Sequence, residues 1–73
     1  MRTLILFCRK YGIEVRMDYD SLIDGQRFVF RRGRERYTYC FTMSELRDMD
    51  DDTAIRDFLM NWVHIQFQLG GEE

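Results

Sequence analysis

The chain has no proline, one lysine, one histidine, one tryptophan and two cysteines in 73 residues. Without proline there are no rigid linkers and no proline kinks in helices. Cys8 and Cys40 allow at most one bridge and show neither metal nor redox spacing. They read as buried thiols of a reducing cytosol, with a small core disulfide as the alternative. His64 is the only histidine; with no Cys-His pair in an obvious setting and no metal-ligand cluster beside it, neither a catalytic triad nor a zinc site is expected within one chain. It falls opposite the apolar stripe of the last predicted helix and reads as a surface residue. Glycine is sparse as well: Gly33 stands alone and Gly70-Gly71 follow a helix, so no phosphate-cradling loop is built. The apolar run from Thr3 to Cys8 is too short for a signal peptide and lacks a small-residue cleavage site. No stretch approaches the ~20 apolar residues of a membrane span. The expectation is a non-enzymatic, cytoplasmic chain without cofactor or metal.

What remains is enough for one small domain over 1–73. Apolar residues make up 45% of the chain and aromatics 15%, so a core can form, with a net stability on the order of 3–5 kcal/mol. Leu4, Phe7, Cys8 and Tyr11 share one helical face, and Thr3 as a start and Gly12 as a left-handed stop favour a helix over the competing strand reading of the continuously apolar Leu4–Cys8. Ile13, Val15, Met17 and Tyr19 alternate with charged residues, as strands do. Phe28 and Phe30 define a second strand, and Tyr37, Tyr39, Phe41 and Met43 a third. Asp24-Gly25 and Gly33 mark the turns between them. Ser44 to Met49 reads as a turn or a helical turn. Asp50-Asp51-Asp52-Thr53 then leads into a long helix carrying Ile55, Phe58, Leu59, Trp62, Val63, Gln66 and Leu69 on one face, with Gly70-Gly71 as its stop.

The predicted fold is α+β, a two-layer α-β-β-β-α arrangement with a three-stranded antiparallel meander and both helices on one face. The expected core is Leu4, Phe7, Ile13, Val15, Met17, Phe28, Phe30, Tyr39, Phe41, Phe58, Leu59 and Trp62. Trp62, Tyr11, Tyr19, Tyr37 and Tyr39 are read as core members before interface anchors.

Charge is sorted along the chain. Residues 1–43 hold nine basic side chains against five acids, and residues 44–73 hold two against eight, so the net charge of −2 hides a basic front and an acidic back. Two candidate surfaces follow. Glu45, Asp48, Asp50, Asp51, Asp52 and Asp57 crowd the start of the last helix. Some cap it, because amide groups and dipole are positive there. Six exceed that need and suggest a negative patch for a basic protein partner. The opposite sheet face should present Arg16, Arg27, Arg31 and Arg36, with Arg32 and Arg34 at the hairpin tip beside it. Ten of the eleven basic residues are arginine, the better fork for planar anions. That face is the alternative site, for nucleic acid. A calcium loop at Asp48, Asp50 and Asp52 fails, since Thr53 stands where glycine is required and Leu59 where glutamate is.

The α-β-β-β-α order resembles that of double-stranded-RNA-binding domains. Those place lysines where this chain has Asp50-Asp51-Asp52, which would repel phosphate. The opening Met1–Gly12, the three compact strands 13–19, 27–32 and 36–43, and the acidic entry Asp48–Asp52 also resemble small bacteriophage and prophage proteins, including anti-CRISPR inhibitors. That resemblance implies an inhibitor in the host cytoplasm that covers a host protein, such as a defence nuclease, with its acidic patch. Homodimerisation, by pairing charge poles or extending the sheet, is a further expectation.

Overall fold

Leu4 and Cys8, one turn apart, are both fully buried and fix the inward side of helix α1 (Arg2–Lys10). The computed structural model describes residues 2–49 and 51–69. Gly12 closes α1 with φ +74°. The Ile13 N–H donates to the Cys8 carbonyl at 2.8 Å and the Gly12 N–H to the Arg9 carbonyl at 3.0 Å, the paired bonds of a Schellman closure. Thr3 lies inside α1 and does not cap it.

Strands β1 (Glu14–Asp20), β2 (Gly25–Arg32) and β3 (Glu35–Thr42) form one antiparallel sheet in the order β1-β2-β3. The register aligns Val15, Phe30 and Tyr37 across the sheet, and Met17, Phe28 and Tyr39 in the next row of that face. Both turns use left-handed residues, Asp24 at φ 50° and Gly33 at φ 60°. Gly25 begins β2 against the β3 backbone, where an added Cβ would run into the Phe41 carbonyl.

The chain continues into α2 (Met43–Met49) and α3 (Asp52–Gln66), so the full order is α-β-β-β-α-α. Residues 44–49, expected as a turn or a helical turn, belong to a true helix because Thr42 and Glu45 form a capping box. The Glu45 N–H donates to Thr42 Oγ1 at 3.2 Å, and the Thr42 N–H donates to Glu45 Oε1 at 2.8 Å. Asp51 is the N-cap of α3, accepting from the Thr53 and Ala54 amides at 2.6 and 3.0 Å. α3 ends earlier than the glycine pair suggested. Gln68 takes φ 55°, and Leu69 and Gln68 donate back to His64 and Ile65. This closure turns Phe67 and Leu69 into the core. Gly70-Gly71 and the terminal Glu72-Glu73 lie outside the described residues.

α1 and α3 cover the same sheet face. Leu4, Cys8, Ile13, Phe28, Phe30, Phe41, Ile55, Leu59, Val63, Phe67 and Leu69 make one buried cluster. Edge-to-face contacts tie β3 to α3: Tyr39 meets Phe58 at 5.1 Å and Trp62 at 5.2 Å, and Tyr37 meets Phe67 at 4.8 Å, near the preferred separation of aromatic pairs.

Several expected core members sit differently. Phe7, Val15, Tyr39 and Trp62 are only partly buried, while Met17 and Phe58 are 44% and 39% exposed. α1 has nine residues, about 13 Å of helix, and the seven-residue β1 runs about 23 Å, so the far end of β1 has no cover. Tyr19, read as core, is exposed for the same reason. Cys8 is buried, but Cys40 is exposed and both thiols are free. Cys40 sits opposite Arg27, on the face away from the helices. The alternation of side chains along β3 overrides the usual preference of cysteine for the interior. No helix among the described residues is long and apolar enough to cross a membrane.

Candidate functional site

The six acidic candidates do not act as one free patch. Glu45 is held in the α2 capping box and Asp51 in the α3 cap. Asp57 is paired with its neighbour Arg56 at 3.1 Å. Asp50 lies outside the described residues. Asp48 and Asp52 are exposed, yet Arg47 lines the same shallow recess as Asp51 and Asp52. The local sequence therefore uses much of this charge to start helices, and two arginines dilute the rest.

The open sheet face is different. The helices occupy only the Phe28–Phe30 face, so the alternate residues of three strands meet water together. They line a concavity of about 550 Å³ that includes Arg16, Arg27, Arg31, Arg36, Glu14 and Asp18. Val29 and Thr38, adjacent in the register, also line it. No aromatic side chain lines it.

The register decides which cations are spent. Glu14, Arg31 and Arg36 form one row across the three strands. Arg31 Nη2 donates to Glu14 Oε1 at 3.0 Å, so Arg31 is satisfied from the β1 side. From the β3 side it faces another arginine. Arg27 lies beside Asp18, donating from Nε at 2.9 Å, with Asp20 at 3.6 Å. The Asp18 hydrogen bond, then the Asp18 charge, holds the Arg27 guanidinium yet more firmly protonated. Among the described residues, Arg16, Arg34 and Arg36 have no carboxylate within 4.0 Å. Arg34 occupies the turn next to Arg36.

Arg32, expected beside this face, points the other way. Its side chain pairs with Glu35 at 3.0 Å, donates to the Phe67 carbonyl at 3.4 Å and stacks over the Phe67 ring at 5.3 Å. Strand parity places it with Phe28 and Phe30, where it fastens the end of α3. Of the six arginine candidates, Arg16, Arg27, Arg31 and Arg36 are thus brought together, Arg34 lies in the turn between β2 and β3 and Arg32 is excluded. Among the described residues, no three His, Cys, Asp or Glu side chains are grouped to hold a metal ion.

The concavity can accept anions at the Arg31–Arg36 end and is balanced by its own carboxylates at the Asp18–Asp20 end. No protein-family model, characterised protein or solved structure matches the chain.

Proposed function

We propose that the protein is a non-enzymatic binding module whose open sheet face docks an acidic surface of a partner protein, centred on Arg31 and Arg36. The module acts by covering that surface, the mode implied by its resemblance to small phage inhibitors of host enzymes. The observation that carries this reading is the direct cross-strand placement of Arg31 and Arg36. Like charges directly opposite one another destabilise a sheet. A carboxylate from a partner bridging the two guanidinium groups converts that repulsion into charge-assisted hydrogen bonds.

A protein partner fits this face better than a nucleic acid. Glu14, Asp18 and Asp20 share the face with the arginines, and a continuous phosphate backbone would meet them. Single-stranded bases would need aromatic platforms, and the aromatic residues of β2 and β3 point into the core side. The acidic lip becomes the secondary contact, because capping and ion pairing occupy Glu45, Asp51 and Asp57.

The test uses the tagged chain as bait in nuclease-treated bacterial lysate, compared with Arg36→Glu and with Asp48→Lys/Asp52→Lys. The expected result is a stoichiometric protein retained by the wild type and by the aspartate variant, and lost with Arg36→Glu. Capture that is indifferent to Arg36 removes this face from the account. Material lost on nuclease treatment assigns the arginines to nucleic acid.

A further inference from the structure

Strand β1 is an edge of the sheet, and its register with β2 runs unbroken from Glu14 to Asp20 with no bulge. Of the devices that blunt an exposed edge it lacks proline, lysine and an inward-pointing charge; its charged side chains, Glu14, Arg16, Asp18 and Asp20, all fall in the open-face phase of the strand. The apolar side of this edge is also unfinished. Met17 and Tyr19 are 44% and 57% exposed, and the adjoining turn adds Leu22 at 94% and Ile23 at 40%. Strand β3, the other edge, differs. Its Tyr37, Tyr39 and Phe41 are packed under Phe58, Trp62 and Phe67.

We infer that β1 is a self-association edge, pairing antiparallel with β1 of a second copy about a two-fold axis at Met17. The register follows from charge and face together. Centring on Met17 sets Met17 against its own copy, Val15 against the partner's Tyr19, and Arg16 against the partner's Asp18, twice by symmetry. The apolar side chains then continue one apolar strip, and Arg16, which has no carboxylate partner among the described residues, gains one.

The remaining pair, Glu14 with the partner's Asp20, brings carboxylates that Arg31 and Arg27 already compensate. Moving the axis one residue back sets Arg16 against Arg16, and one residue forward sets Asp18 against Asp18. Any slip that breaks parity places apolar side chains against charged ones. The product is a continuous six-stranded sheet with both helical layers on one side, and it carries an Arg31–Arg36 pair toward each end of its open face. An isologous contact of this kind closes at two copies. A seven-residue edge buries less than a standard interface, so association is concentration-dependent.

Sedimentation velocity of the full chain, without any partner, tests the inference separately from docking. The wild type is expected to move from monomer to dimer mass between micromolar and millimolar concentration, and Met17→Leu to behave likewise. Met17→Lys, which sets two ammonium groups face to face, is expected to remain at monomer mass with an unchanged circular dichroism spectrum. If that variant does not fold, Tyr19→Lys, at a more exposed position, takes its place with the same expectation. Register is read by Met17→Cys in a Cys40→Ser background, where mild oxidation is expected to link two chains. A wild type that stays monomeric overturns the inference, as does a dimer that persists in the lysine variant. A Met17→Cys chain that does not cross-link while dimeric overturns the register.

Discussion

Arg31 and Arg36 lie directly opposite each other on β2 and β3, and Glu14 neutralises only Arg31, at 3.0 Å. Two adjacent guanidinium groups facing water from one side of a sheet are the most specific chemical statement in this fold. The pair is held by a rigid element, since β2 is the central strand and its opposite face is packed under α1 and α3.

Relief of this repulsion is measurable in the isolated chain. Arg36→Thr is expected to leave the fold intact and to raise stability slightly, by about 0.2–1 kcal/mol, the usual size of a cross-strand pair effect. Urea denaturation at low salt reads the change, and added salt should shrink it by screening the wild-type repulsion. An equal loss of stability would mean that Arg36 is structurally required.

The acids at the helix starts should behave as structural residues. Asp51→Ala removes the acceptor for two α3 amides and is expected to lower stability by about 1 kcal/mol. Glu45→Ala opens the α2 capping box and acts in the same direction. Asp48→Ala touches neither cap and is expected to change stability by less than about 0.5 kcal/mol. Thermal melts of the three variants make the comparison.

The sequence carried much of this architecture openly. Three strands with period-two alternation and the Gly12 stop were legible, as was the apolar stripe of α3. Two features are written in the local pattern. Thr42-Met43-Ser44-Glu45 is a capping-box pattern, and it announces α2. Cys40 lies in the outward phase of β3, which outweighs the burial expected of a thiol. Other features were not local. Met17 and Tyr19 are apolar positions of a strand longer than the helix that should cover it, and no local pattern in β1 reports the reach of α1. The stop at Gln68 came before a strong glycine signal, because burying Phe67 and Leu69 favours an earlier turn. The grouping of four arginines followed from alternation, whereas their division into paired and unpaired members depended on the register.

The two thiols should differ sharply in reactivity. Burial pushes the Cys8 thiol from its ordinary 9.0 up to about 11, and no solvent reaches it, while Cys40 is exposed. Native protein at pH 8 is expected to take one iodoacetamide, at Cys40, and a second only after denaturation. The raised value also sets a sign for stability. Above about pH 9 the unfolded chain releases a Cys8 proton that the folded chain keeps, so stability falls as pH rises through that range. Cys8→Ala would flatten this part of the profile.

Gly25 should tolerate no side chain. Its Cβ position is filled by the Phe41 carbonyl of the paired strand, so Gly25→Ala is expected to lower stability by about 1–3 kcal/mol through overpacking. Gly33→Ala, with open space around it, loses only the ease of its left-handed backbone. Paired denaturant melts should rank the two.

The most direct measurement is an NMR titration of isotopically labelled protein with a polyglutamate peptide, followed at the backbone amides and arginine Nε–H groups. The account predicts saturable shifts at Arg31, Arg34 and Arg36, weakened by salt and abolished in Arg36→Glu. Unmoved arginine signals, with polylysine instead shifting Asp48 and Asp52, would contradict it and return the contact to the acidic lip.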